Sequence, residues 1–158
     1  KWVSGKRVLE VGCNTGFLSL GIAQWAQSLT GFDIMPHLIE IAQITASHLH
    51  VNNAVFINSS FEEFRSGETY DVVISFANHA TYDGQTRHKL HEYFDKCFRC
   101  CNAGGLLLFE SHPPKHEGDG LPHVLRLIAE RFTIVEQHVL AYGTFLDTGR
   151  TFLVARKA

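Results

Sequence analysis

Short apolar runs alternate along the chain with longer segments in which apolar residues recur every three or four positions. The short runs are typical of buried strands, and the longer segments are typical of amphipathic helices. The predicted strands are residues 7–11, 29–34, 54–58, 70–76, 106–110, 132–140 and 151–155, and the predicted helices are residues 17–27, 36–49, 86–100 and 121–131. Strands that alternate with helices indicate an α/β fold with a largely parallel sheet.

The last two predicted strands follow each other without a helix between them. A turn that contains Gly143 and Gly149 joins them, which favours antiparallel pairing. We therefore expect a doubly wound, mostly parallel seven-stranded sheet with a C-terminal antiparallel hairpin and helices on both faces.

The first strand runs directly into a turn with two glycines, Gly12 and Gly16, and then into a helix. Glycine lets the backbone bend and approach a ligand closely. Exposed N–H groups and the helix dipole at such a corner favour acidic or electron-rich ligand groups. An ordinary strand-to-helix turn would show the same pattern and stays open as an alternative.

A second candidate ligand-binding residue, Asp33, ends the second predicted strand, 17 residues after Gly16. In nucleotide-binding α/β folds an acid at about this distance accepts hydrogen bonds from ribose hydroxyls. The alternative role is to cap the helix that begins near Pro36. A dehydrogenase that binds NAD is disfavoured, because the turn lacks the third glycine of the dinucleotide fingerprint.

The pattern Glu10-x-Gly12-x-Asn14-x-Gly16 resembles motif I of the class I S-adenosylmethionine (SAM) dependent methyltransferases, in which an acid is followed by x-Gly-x-Gly-x-Gly. Asn14 replaces the middle glycine, and asparagine tolerates positive φ better than most residues. The resemblance extends to the closing hairpin. It implies SAM as the cofactor and S-adenosylhomocysteine (SAH) as the product.

The resemblance also implies where the cofactor would lie. The first turn would hold its methionine end, the acid after the second strand its ribose, the residues after the third strand its adenine, and the exit of the fourth strand its sulfonium. In chain order these residues are Glu10, Gly12, Cys13, Asn14, Gly16, Asp33, Ile34, Ser60, Phe61, Phe76 and Ala77. Ser60 has an alternative role as the cap of a short helical turn, in which Glu63 completes a capping box.

The loops after the fourth and fifth strands carry the candidate catalytic residues. His79, Tyr82 and Asp83 offer a general base with an orienting carboxylate, and His112 is a second candidate base. A hydroxyl acceptor would need such a base during methyl transfer. A lone loop histidine is more often a surface or hydrogen-bonding residue, so this alternative also stays open.

These loops predict O-methylation of a sugar, polyol or secondary metabolite. The loop after the fourth strand is not Asn-Pro-Pro-Tyr, the signature that similar enzymes use to methylate exocyclic amino groups of bases. The resemblance therefore disfavours N-methylation of nucleobases. A non-catalytic module that binds SAM or a nucleotide is the main alternative.

Composition limits the partners of the chain. The 158 residues are 45% hydrophobic and have a formal net charge of −2, so we expect one domain with no footprint for nucleic acid. A tRNA-modifying enzyme would need basic surface from another domain. The sequence contains no apolar run of about 18 residues, so no membrane span is predicted. It does not predict the oligomeric state.

Cysteine usage bears on compartment and metal binding. The four cysteines are too few and too clustered for a disulfide framework, which favours a reducing, cytoplasmic location. Cys97, Cys100 and Cys101 have no second Cys or His pair at zinc-finger spacing, so no metal site is predicted. Because the sequence opens at Lys1 just before the first strand, we expect a fragment of a longer protein that lacks an N-terminal helix.

Overall fold

A computed structural model describes residues 1–80, 89–117, 120–141 and 148–158. Its sheet has seven strands in the order β3-β2-β1-β4-β5-β7-β6. Strands β1 to β5 pair with one another in parallel, and β7 is antiparallel to both β5 and β6. The strands are β1 (Arg7–Val11), β2 (Ser28–Asp33), β3 (Ala54–Asn58), β4 (Tyr70–Phe76), β5 (Cys101–Glu110), β6 (Thr133–Ala141) and β7 (Thr148–Arg156). The predicted fold class is confirmed.

Successive strand residues point to opposite sides of the sheet, and apolar residues on both sides are covered by helices. Buried residues of α3 and α5 pack with Leu9, Val73 and Leu107 in one core cluster. On the opposite face, Val8 and Val72 pack in a second cluster to which α1 contributes. The helices of the described chain are α1 (Phe17–Ala23), α2 (Pro36–His48), α3 (Leu90–Cys100), α4 (Pro114–Glu117) and α5 (Leu121–Ala129). None of them is long and apolar enough to cross a membrane.

The predicted end of the first helix is wrong, because α1 ends at Ala23 rather than at residue 27. Backbone bonds from Gly5 N–H to the Trp25 carbonyl and from Gln27 N–H to the Lys6 carbonyl turn the chain back toward β2. Trp25, just after the helix, is 66% exposed. The helix buries Ser19, Leu20 and Ala23 instead.

Two further boundaries differ from the predictions. β5 begins at Cys101 rather than at residue 106, and its pairing with β4 shifts register between Tyr70 and Val72. The glycine pair at 104–105 therefore lies within a strand that bulges. The third helix begins at Leu90, and the start predicted at Thr86 lies outside the described residues.

Candidate active site

A cavity of about 240 Å³ opens at the carboxyl ends of β1, β2 and β3. Ligands of open α/β sheets bind at this edge, at the point where the strand order reverses. In this sheet the order reverses between β1 and β4. Six of the predicted cofactor residues line the cavity: Gly12, Asn14, Asp33, Ile34, Ser60 and Phe61.

The glycine turn adopts the left-handed backbone that its sequence favours. The φ angles of Gly12, Asn14 and Gly16 are 67°, 51° and 75°. A Cβ on Gly12 would lie 2.2 Å from Oδ1 of Asn78, at the cavity. A Cβ on Gly16 would lie 2.9 Å from the Cβ of Ala42, so this glycine allows the helices to pack.

Asp33 ties the glycine turn to the second strand. Its Oδ2 accepts a hydrogen bond from Asn14 N–H at 2.9 Å, and its Oδ1 accepts one from Met35 N–H at 3.0 Å. The N-cap of α2 is Met35, so Asp33 does not occupy the capping position. Each carboxylate oxygen has more than one acceptor site, which leaves Asp33 able to bind a hydroxyl at the cavity.

The segment after β3 forms a capped turn beside the cavity. Ser60 Oγ accepts a hydrogen bond from Glu63 N–H at 3.1 Å, which is half of the predicted capping box. Ser60 therefore caps this turn and also lines the cavity, so its capping role does not exclude contact with a ligand.

Lys96, on α3, holds this turn in place, and sequence reasoning missed it. Its Nζ donates hydrogen bonds to the carbonyls of Phe61, Glu62 and Phe64, and it lies 4.9 Å from the centre of the Phe61 ring. Burial lowers the pKa of Lys96, and Arg65 lowers it further. The only signal in the sequence is a cation beside the apolar stripe of α3, next to Cys97.

Five predicted cofactor residues are not among those that line the cavity: Glu10, Cys13, Gly16, Phe76 and Ala77. Glu10 is buried and accepts a hydrogen bond from Ser19 Oγ, and burial raises its pKa to about 7. Cys13 packs in a core cluster with Leu20, and burial, followed by the charges of Glu10 and Asp33, raises its pKa to about 12. Phe76 packs edge-on against Phe152.

A second group of polar residues lies between the loops after β4 and β5. His79 Nε2 lies 2.8 Å from Oε1 of Glu117, and Oε2 of Glu117 accepts a hydrogen bond from His112 N–H at 2.8 Å. The rings of His79 and His112 are 4.8 Å apart. The structure thus brings both predicted histidines together, whereas Tyr82 and Asp83 lie outside the described residues.

Glu117 determines which nitrogen of His79 carries a proton. Burial raises the pKa of Glu117, but its bond to His79 and its bond from His112 N–H outweigh burial and lower it. An ionised carboxylate only accepts hydrogen bonds, so Nε2 of His79 carries the proton. In the neutral ring the opposite nitrogen, Nδ1, is an acceptor, and it is buried with no hydrogen-bond partner among the described residues.

The surroundings of His112 disfavour its charged form. Burial lowers its pKa, and repulsion from His79 lowers it further. The side chains of His79 and Glu117 are only 1% and 5% exposed. Glu117 was not predicted as a partner of His79, because 38 residues separate the two in sequence.

Comparison with known proteins identifies the family. The family model described as "Methyltransferase domain" matches residues 3–139. The chain belongs to the methyltransferase domain family. This membership confirms the resemblance read from the glycine turn.

Individual relatives of this methyltransferase domain differ in what they methylate. The malonyl-[acyl-carrier protein] O-methyltransferase of Bacillus cereus is 31% identical over 107 residues, 66% of this chain and 37% of the relative. A 23S rRNA (uracil(1939)-C(5))-methyltransferase of Vibrio vulnificus is 36% identical over 67 residues, 42% of this chain and 15% of the relative. The chain spans less than half the length of these relatives.

A solved structure shares the fold. The N-methyltransferase NodS of Bradyrhizobium japonicum, in complex with S-adenosyl-L-homocysteine, superposes with a TM-score of 0.83 at 19% identity, over 98% of this chain and 79% of that one.

Proposed function

We propose that this domain binds SAM in the cavity at β1, β2 and β3 and transfers its methyl group to a hydroxyl oxygen of a small molecule. The observation that supports cofactor binding is the set of Gly12, Asn14, Asp33 and Phe61 around one cavity, in a chain of the methyltransferase family. Asp33 would accept hydrogen bonds from the ribose hydroxyls, and the turn that Lys96 holds in place would contact the adenine.

The pair formed by His79 and Glu117 supports a hydroxyl as the acceptor. Nδ1 of His79 is a buried acceptor that needs a hydrogen-bond donor. A substrate hydroxyl is such a donor, and it must lose its proton when its oxygen is methylated. When bound, SAM supplies a methyl group on a sulfonium, which leaves as a neutral thioether. His79 would take the hydroxyl proton at Nδ1 while Glu117 stabilises the imidazolium through Nε2.

Positioning carries much of the catalytic task. Aligning two bound reactants is worth about 7 to 11 kcal/mol of the barrier, and a placed general base adds about 10²- to 10⁴-fold in rate. The buried setting of His79 keeps bulk water away from the base. The net charge of −2 disfavours an RNA acceptor for this domain.

Isothermal titration with SAH, with NAD as the paired control, tests cofactor binding. We expect a micromolar dissociation constant for SAH and no heat with NAD. An absence of binding heat with SAH would contradict the proposal, and binding of NAD would favour a dehydrogenase.

Transfer of a labelled methyl group from SAM tests the acceptor. A panel of hydroxylated small molecules, their amine counterparts and RNA separates the alternatives. We expect label on the hydroxyl compounds and loss of turnover in His79→Ala with little change in SAH affinity. Label on RNA alone, or turnover that is unchanged in His79→Ala, would refute the assignment of the acceptor or of the base. Binding of SAH without transfer to any acceptor would indicate a non-catalytic module.

A further inference from the structure

A second cavity, of about 480 Å³, lies at the edge of the sheet opposite the cofactor cavity. Arg7 begins β1 there, Thr69 precedes β4, and Arg99 lies in the last turn of α3. The cofactor cavity opens instead where β1, β2 and β3 end. We call this second cavity the basic cavity, because its lining includes four cations: Arg7, Arg65, Lys96 and Arg99.

The positive charge of the basic cavity is not balanced by its own lining. Among the described residues that line it, Glu68 is the one acid, and its exposed carboxylate lies 3.5 Å from Nη1 of Arg7. An exposed ion pair of this length holds its partners weakly. Asp95, one turn before Arg99 on α3, accepts a hydrogen bond from Arg131 at 2.6 Å. No ion pair within the described residues therefore neutralises Arg99.

Three of these cations lie close to one another. Burial lowers the pKa of Lys96 most, and the charges of Arg65 and Arg99 lower it further. Cys100 and Glu62 act in the opposite direction without cancelling the net lowering. Like charges around one cavity repel, and an anion that enters it offsets this repulsion. Since an arginine fork matches the paired oxygens of a phosphate group, the basic cavity suits a phosphate-bearing anion.

One segment connects the basic cavity to the cofactor cavity. Residues 59–69 run from the end of β3 to the start of β4 and so cross from one edge of the sheet to the other. The first four residues of this segment line the cofactor cavity, and the last six line the basic cavity. Phe61 and Phe64, one in each part, stack on Phe32 with 5.6 and 4.4 Å between ring centres. The two cavities therefore share one packed segment.

Lys96 is the direct link across this segment. It lines the basic cavity, and its Nζ donates hydrogen bonds to the carbonyls of Phe61, Glu62 and Phe64, at the turn beside the cofactor cavity. Nη1 of Arg65 donates to the carbonyls of Glu62 and Phe64 as well. An anion in the basic cavity favours the charged form of Lys96, which is the form that donates all of these bonds, and so stabilises the turn.

We propose that the basic cavity binds a small anion that carries two phosphate groups, and that this anion strengthens cofactor binding through the segment that both cavities share. Binding of the anion is independent of the proposed function, whereas its effect on the cofactor rests on it. The volume of the cavity leaves room for more than one phosphate, and four cations match a highly charged anion. Linkage requires that the cofactor strengthen anion binding by the same factor.

Isothermal titration of the whole chain with inorganic pyrophosphate, without divalent metal, tests the site. Sodium chloride at matched ionic strength is the control for screening. We expect pyrophosphate to bind, and Arg99→Gln to weaken it about 10-fold or more, as expected for one charge-assisted hydrogen bond. Because Arg99 does not line the cofactor cavity, SAH affinity without pyrophosphate should not change in this variant.

Arg156→Gln is the matched control. Arg156 is also an exposed arginine at this edge of the sheet, where it pairs with Leu106 of β5, but it lines a neighbouring cavity together with Lys1 and Lys6. Its removal changes the net charge equally and should leave pyrophosphate affinity as in the wild type. A loss in this variant as large as that in Arg99→Gln would place the anion outside the basic cavity and overturn the proposal.

Titration with SAH, with and without saturating pyrophosphate, tests the coupling. We expect the wild-type chain to bind SAH about 5- to 10-fold more tightly with pyrophosphate. At the same pyrophosphate concentration the gain should be smaller in Arg99→Gln. Weaker SAH binding with pyrophosphate would place the anion in the cofactor cavity, and an unchanged SAH affinity would show that the cavities are not coupled. Either result overturns the proposal.

The two titrations separate this proposal from the proposed function. If pyrophosphate does not bind while SAH does, the basic cavity is not an anion site and the proposed function stands. If the chain binds no SAH in either condition, the proposed function fails and the coupling fails with it, while the pyrophosphate titration still decides whether the basic cavity binds anions.

Discussion

The two halves of the candidate site are assembled from different kinds of contact. The cofactor half depends mainly on backbone groups that polar side chains hold in place, since Asp33 accepts hydrogen bonds from the N–H groups of Asn14 and Met35. The acceptor half depends on side chains that are far apart, since Glu117 holds His79 across 38 residues.

The two halves therefore differ in the substitutions that they tolerate. A glycine turn at positive φ is sensitive to any added side chain, because its shape is its function. A pair of side chains keeps its shape through the packing around it and is sensitive to a change of hydrogen-bonding pattern instead. The halves should therefore fail independently, one in cofactor binding and the other in transfer.

The largest expected effect is in the cofactor half. Gly12→Ala puts an L-residue at φ 67° and a Cβ 2.2 Å from Oδ1 of Asn78. The side chain of Asn78 cannot move without losing its hydrogen bonds to the carbonyls of Val11 and Phe76. We expect SAH affinity to fall at least about 100-fold, a free energy of about 2.7 kcal/mol, in isothermal titration.

Gly5→Ala is the control for this change. Its φ is 66°, but nothing lies within 4 Å of an added Cβ. It costs the same backbone strain, about 1 to 2 kcal/mol of stability, without touching the cavity. Should both variants bind SAH as the wild type does, the glycine turn would not be the cofactor site.

The second prediction concerns Glu10, which is part of the glycine motif but does not line the cavity. Its pKa is raised from 4.5 to about 7 by burial, so the folded chain favours the protonated form. The stability that this gives is complete below pH 4.5 and is lost as the pH rises through 7. Between pH 5 and pH 8 the loss is about 2 to 3 kcal/mol.

Urea unfolding of Glu10→Gln measures this dependence. The variant should be less sensitive to pH than the wild type by that amount, whereas Glu68→Gln, an exposed carboxyl, should follow the wild type. Titration of Glu10→Gln with SAH then tests whether Glu10 contributes to cofactor binding. An unchanged affinity would make Glu10 a structural residue, and a loss of affinity at constant stability would assign it to the cofactor, as the resemblance implies.

The contrast also explains how much of the molecule could be predicted from its sequence. The strands and the turn at Gly12 depend on local patterns, and the mostly parallel sheet with its closing antiparallel hairpin agrees with the expectation. The predicted end of α1 was wrong, because Gly5 and Lys6 form hydrogen bonds with the backbone groups of Trp25 and Gln27 that would otherwise have extended the helix.

Residues whose partners are remote in the chain left no readable pattern. Lys96 bonds to carbonyls more than 30 residues away, and Asn78 bonds to the Val11 carbonyl 67 residues away. A lysine in a helix or an asparagine in a loop is ordinary until its partner is known. His79 was predicted only as a base, and its carboxylate partner emerged from the fold.

The smallest expected effect is on transfer, in Glu117→Gln. The glutamine has one acceptor, which His112 N–H takes, because a backbone N–H can only donate. Its NH₂ group then faces Nε2 of His79, which must become the acceptor and leave the proton on Nδ1. The base would be blocked, and we expect turnover on a hydroxyl acceptor to fall about 10-fold or more while SAH affinity stays the same.

The tautomer of His79 provides a readout that needs no acceptor molecule. The ¹⁵N chemical shifts of the ring should show the proton on Nε2 in the wild type and on Nδ1 in Glu117→Gln. Glu136→Gln is the matched control, because Glu136 also contacts a histidine, His138, at 3.5 Å, on the edge strand β6. An unchanged tautomer together with unchanged turnover would show that Glu117 only joins the two loops, and the acceptor half would then have no dedicated base at His79.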